Sequence, residues 1–177
     1  GYSQYELASG PTFNFLYDTR DNPVNAESGS FVKTIYRPNM AFMGNKIEWH
    51  SLIIDLRKYV RFPARSDNVI ALWSYEWLTL DGKPPYLMLP CTGGDPYMNT
   101  GRGYIQGRFR GKNMLYAEGE YRFRILRNGL VGGVVFANAQ SFTEQVSNKF
   151  EVVAPGYGFG LRFKFNKFSR TNVTIDY

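Results

Sequence analysis

The chain has 177 residues, 44% hydrophobic and 20% charged, which is enough apolar material for a core or a membrane face and sets disorder aside. Its 21 Lys+Arg against 15 Asp+Glu give a net charge of +6, yet the basic residues alternate singly with aromatics, as in Arg122-Phe123-Arg124 and Arg162-Phe163-Lys164, instead of forming the runs of a nucleic-acid arm. No nucleic-acid partner is expected, and one cysteine (Cys91) with one histidine (His50) excludes internal disulfides and multi-histidine metal sites, so no metal or cofactor is expected either.

Apolar runs stop short of the roughly 18 residues of a membrane helix, and no leader pattern opens at Gly1, so the natural start is expected to lie upstream. Eight strands are expected, over 11–18, 30–38, 47–60, 68–79, 113–127, 130–142, 156–166 and 170–177, each bounded by Gly, Pro, Asn or Asp clusters. At 115–125, Leu115, Ala117, Gly119, Tyr121, Phe123 and Ile125 alternate with Tyr116, Glu118, Glu120, Arg122 and Arg124. At 156–166, Tyr157, Phe159, Leu161, Phe163 and Phe165 alternate with three glycines, Arg162 and Lys164. A soluble sandwich strand alternates in the same way, but it averages about five or six residues. Ten-residue strands with one aromatic and one charged face point to an all-β, antiparallel transmembrane β-barrel. Leu115, Tyr121, Phe123, Tyr157, Phe159, Phe163 and Phe165 are then lipid-facing, with Glu118, Glu120, Arg122, Arg124, Arg162 and Lys164 in the lumen.

The connections 19–29, 61–67, 128–129 and 167–169 are short, and 39–46, 80–112 and 143–155 longer, so the first set is read as periplasmic and the second as outer. That places both ends of the chain outside, whereas complete bacterial barrels keep their termini in the periplasm. The chain therefore reads as a section of a larger barrel, with no periplasmic repeat domain visible and its two edge strands unpaired. Trp49, Trp73, Trp77, Tyr59, Tyr75 and Tyr86 are candidates for an interfacial aromatic girdle. Arg108, Arg110 and Lys112 are candidates for meeting lipopolysaccharide phosphates, or else form a solvated loop base.

The long connection carries Gly101-Arg102-Gly103-Tyr104, and the first turn carries Asp18-Thr19-Arg20-Asp21-Asn22-Pro23 followed by Gly29. With these two motifs in this order the chain resembles the BamA/TamA superfamily of outer-membrane assembly and translocation proteins, the bacterial surface antigen family. The resemblance covers nearly the whole chain and implies the last half, roughly eight strands, of a sixteen-stranded barrel. It also implies that the Arg-Gly-Tyr loop folds back into the lumen, where Arg102 pairs with acids on the wall. Glu120 matches the first acid. Where a second, an Asp, is usual, this chain reads Phe136-Ala137-Asn138-Ala139, which leaves Glu120, alone or with Glu118, to neutralise Arg102. Pairing is also chemically reasonable, since a guanidinium fork suits a carboxylate. The alternative is a solvated arginine in a Gly-rich turn.

Other patterns carry no chemistry. Gly107 to Asn113 lacks the spacing and the Ser or Thr of a phosphate loop. His50 with Ser51 and Asp55 makes no triad, Asn172-Val173-Thr174 lies inside a strand, and Cys91 is a lone loop cysteine. No enzyme is expected in this segment. The resemblance implies a barrel in the outer membrane of a Gram-negative bacterium that inserts outer-membrane proteins or translocates polypeptide or lipid. Its partners would be outer-membrane lipid, lipopolysaccharide and other envelope proteins, in a larger complex. The alternatives are the barrel anchor of an upstream patatin-like lipase, or a passive pore or structural subunit.

Overall fold

A computed structural model describes residues 8–44, 47–143, 149–166 and 170–177. They form one antiparallel sheet in strict chain order: β1 (Phe13–Asp18), β2 (Gly29–Asn39), β3 (Trp49–Arg61), β4 (Val69–Gly82), β5 (Met114–Arg124), β6 (Val131–Thr143), β7 (Phe150–Asn166) and β8 (Thr171–Asp176). Each strand pairs only with its neighbours in sequence, and among the described residues no ladder joins β8 to β1. The fold is all-β and the sheet is open, as in a section of barrel. Helix is confined, among the described residues, to single turns at Ala41–Met43 and Tyr86–Met88.

Residue alternation gives the sheet two unlike faces. One face carries Ile35 of β2, Ile53 of β3, Tyr75 of β4, Met114 and Tyr116 of β5 and Phe142 of β6 as a buried cluster, with Trp73, Trp77 and Phe109 packed against it. Phe109 belongs to the 83–113 connection, so this core lies between the sheet and its own longest loop. The sheet must curl around that loop. Adjacent strands lie about 4.8 Å apart, so β5 and β8 would be about 14 Å apart in a flat sheet. Yet one guanidinium, that of Arg102, touches both. The loop therefore fills the concave face, and the opposite face is convex and largely apolar.

Three expectations need revision. β7 begins at Phe150, not 156, because Val152, Val153 and Ala154 continue the ladder opposite Phe142, Ser141 and Gln140, with Pro155 opposite Ala139. The expected loop 143–155 thus shrinks to 144–149, and only 83–113 stands out for length. Residues 144–148, and the expected turn 167–169, lie outside the described residues. The girdle is also wrong for most of its candidates. Trp49 shares the parity of Asp55 and Tyr59 on β3, and Trp73, Tyr75 and Trp77 that of the concave face of β4, so these side chains line the inside. Tyr86 sits on the loop, stacked under Arg110. β3 and β4 carry apolar residues on both faces, so alternation there does not say which face looks inward. Finally, Arg110 is not free to meet phosphates, because its Nη1 donates to the carbonyls of Tyr86 (2.9 Å) and Leu89 (3.1 Å).

Candidate functional site

Arg102 is carried into the concave face by a loop that builds its own backbone. Asp95, almost fully buried, accepts the N–H groups of Tyr97, Asn99 and Thr100 through its carboxylate (3.2, 2.9 and 2.7 Å), fixing from beneath a turn whose residues 96–99 are exposed. Thr92, fully buried, donates to Gln140 Oε1 of β6 (3.0 Å), and Tyr104 donates to the Pro155 carbonyl of β7 (2.6 Å). Between them Gly101 adopts φ +77°, where a Cβ would stand 2.4 Å from Thr92 and 2.7 Å from Gln140. Only glycine meets both demands. Gly103, φ +94°, has open space beside it.

Arg102 then reaches three acids. Its Nη1 donates to Glu120 Oε1 at 2.5 Å and lies 3.9 Å from Glu118; its Nη2 and Nε donate to Asp176 Oδ2 at 2.5 and 3.2 Å. Its guanidinium lies over the Phe136 ring, 3.7 Å from the centroid. Its carbonyl accepts from Asn138 Nδ2 (3.1 Å). Glu120 is shared, its second oxygen taken by Arg122 at 2.5 Å, while Glu118 accepts the Tyr116 hydroxyl at 2.7 Å. Asp176 is the residue that sequence reasoning missed. Position 138 is an asparagine, and the second acid bonded to Arg102 lies two strands further on, in β8, on the parity of Thr174 and Asn172. An acid on the inner parity of the last strand was the available signal.

The first turn, 19–28, folds just as tightly. Arg20 grips Asp18 with Nε and Nη2 (2.9 and 2.8 Å), donates to the Pro23 carbonyl (3.2 Å) and lies 4.5 Å over Phe31. The hydrogen bond to Asp18 raises the Arg20 pKa above its ordinary value. Asn22 Oδ1 accepts the N–H groups of Val24 and Asn25, and Gly29, φ +103°, passes so close to the Thr19 carbonyl that a Cβ would meet it at 2.3 Å. Asp21 accepts the N–H groups of Glu27 (2.9 Å) and Ser28 (3.1 Å) and takes Arg170 Nη1 at 2.6 Å. Burial alone would lift its pKa, but the Glu27 N–H, Arg170 and the Ser28 N–H together hold it below the ordinary carboxylate value of 3.8.

The turn also crosses to the far wall. Asn25 Oδ1 accepts from Arg162 Nη2 of β7 (3.0 Å) and Arg122 Nη1 of β5 (3.4 Å), and Glu27 pairs with Arg61 of β3 (2.8 Å). The turn and the loop thus close the two sides of one cavity of about 500 Å³ lined by Arg102, Glu118, Glu120, Arg122, Arg162 and Asp176. Asn25 had no sequence signal of its own.

Leu115, Tyr121, Phe123, Tyr157, Phe159, Phe163 and Phe165 lie on the convex face, opposite in parity to the buried Tyr116. Tyr157, Phe159 and Phe165 are 86%, 61% and 82% exposed. Leu115 and Phe163 are more than a third exposed, and Tyr121 stacks on Phe123 (6.0 Å) while accepting a hydrogen bond from Asn68 Nδ2. His50 shares a 2.7 Å hydrogen bond with the Tyr36 hydroxyl, and Cys91 is half-buried in a bridge to Arg110. Among the described residues no group of His, Cys, Asp and Glu could hold a metal ion.

Comparison with known proteins finds a family model, the Omp85 superfamily domain, matching residues 4–172. No curated protein matches the chain.

Proposed function

Because the chain belongs to the Omp85 superfamily, whose members are outer-membrane insertion and translocation proteins of Gram-negative bacteria, we propose that it forms a wall of such a barrel and contributes a docked lumen loop to its working state. Superfamily members act with other envelope proteins and not as enzymes. For this chain, insertion of outer-membrane protein clients is the reading best supported, and translocation of polypeptide or lipid is its close neighbour. On this reading the convex aromatic face meets lipid and lipopolysaccharide, and the concave face is the lumen.

One observation carries the proposal: the 83–113 loop is bound to the concave face through Arg102, which joins Glu120 of β5 to Asp176 of β8. A lumen blocked by its own loop is poorly built for passive diffusion, and it argues against the plain-pore reading. The test uses the full-length protein in liposomes, supplied with an unfolded barrel client. Protease-protected, heat-modifiable client should accumulate, and Arg102→Ala should reduce it at equal protein level. Client yield no greater than in empty liposomes overturns the insertion reading. Deleting 83–113 should raise ion conductance in planar bilayers; unchanged conductance would mean that the loop does not occupy the lumen.

A further inference from the structure

A second, smaller cavity of about 250 Å³ lies on the same face but away from Arg102, between the β2–β4 wall, loop residues Gly94, Pro96 and Tyr97, and Arg20 and Pro23 of the first turn. Its walls hold four cations, and two of them are already neutralised: Arg20 by Asp18, and Arg57 by both oxygens of Asp55. The others, Lys33 and Arg37, have no carboxylate within ion-pair distance among the described residues. Lys33 stands opposite Asp55 in the β2–β3 ladder, but Arg57 and Trp73 Nε1 hold that carboxylate. Asp95, behind the cavity, spends its oxygens on loop N–H groups.

Lys33 and Arg37 lie four residues apart on one face of β2, about 13 Å at the usual strand rise. Ile35, with Ile53 and Tyr75 beyond it, forms the apolar floor between them. A small oxyanion could engage only one of these charges. The geometry points to a binding site for an extended acidic polypeptide segment, with carboxylates four residues apart on Lys33 and Arg37 and an apolar side chain between them over Ile35. An extended ligand repeats the strand's own spacing, so its alternate side chains point the same way and match the cavity. A phospholipid fits less well, because the cavity opens on the concave face and its acyl chains would have to leave the lipid phase. The site names a substrate class for the proposed function, and rests on that reading only in taking the concave face as the lumen.

The test is fluorescence anisotropy on the full-length protein in nanodiscs with a labelled nine-residue peptide carrying Glu at positions 3 and 7 and Leu at position 5. The parent should bind it, and Lys33→Gln with Arg37→Gln should weaken binding at least tenfold while leaving the heat-modifiable band unchanged. The peptide with Gln for both Glu should bind the parent as poorly as the acidic peptide binds the double variant. Equal affinity of parent and double variant overturns the site, as does displacement of the peptide by inorganic phosphate or anionic-lipid vesicles at the peptide's own concentration. Client insertion is measured on the same samples. Insertion lost with peptide discrimination retained removes the function and leaves the site; the reverse removes the site alone.

Discussion

Arg102 illustrates how a single side chain is valued by its partners. Removing one member of a confined ion pair costs about 3–5 kcal/mol, whereas an exposed pair is worth about 0–1 kcal/mol. Glu120 keeps Arg122 after Arg102→Ala, so the loss should fall near the lower figure, about 3 kcal/mol, read as a lower denaturant midpoint and greater protease access to 83–113. Asp176→Asn leaves Arg102 with Glu120 and should cost about 1 kcal/mol, because Asp176 is partly exposed. Equal effects of the two changes would mean that the loop does not depend on the shared guanidinium. Reversing Arg102 and Glu120 together should restore little, since Asp176 would then face a carboxylate and Arg122 a second guanidinium. Adding Asp176→Lys should recover part of the loss. Arg102 and Glu120 were legible in the sequence as a motif and an inward-facing acid. Asp176 was not, because a contact 74 positions along the chain is set by the curl of the sheet, which local alternation does not encode.

At the scale of elements, the turn 19–28 carries a pH dependence with a definite sign. Asp21 has a folded pKa below its ordinary value, so its contribution is fully present above pH 3.8 and is lost as pH falls through the lower folded value. Amide exchange at Glu27 and Ser28, corrected for intrinsic rate, should therefore show undiminished protection from pH 7 down to about 5 and loss of protection below about 4. Asp21→Asn should remove the dependence; a variant that keeps it would assign the effect to another carboxylate. Strand parity has its own test in a Cys91→Ser background: Phe159→Cys should react with a lipid-soluble thiol probe and Arg162→Cys with a water-soluble one, and the opposite pattern reverses the two faces. Alternation was readable in β5 and β7 because one face is charged or glycine-rich and the other aromatic. It was silent in β3 and β4, where Trp73, Tyr75 and Trp77 alternate with Leu72, Ser74, Glu76 and Leu78. The early start of β7 was hidden by Pro155, which reads as a strand boundary but sits inside the ladder.

For the molecule as a whole, the open sheet leaves the outer edges of β1 and β8 without ladder partners among the described residues, and such edges do not persist in lipid. Residues 1–177 expressed alone should therefore aggregate in detergent or stay heat-labile, and a heat-modifiable monomer with a compact barrel's mobility would show that this segment closes on itself. The class of fold was legible because eight amphipathic segments with one dominant loop allow few other arrangements. Closure was not, because it depends on which strands meet at the two edges. The salt bridges of Arg102 also impose an order in time. Glu120 is synthesised soon after the loop, but Asp176 arrives 74 residues after the arginine, and only when β6, β7 and β8 have paired does it reach the same guanidinium. The loop can hold on to β5 early but can be fastened on both sides only once β8 has joined the sheet, so the finished bond acts as a seal that records, from within, that β8 is in place.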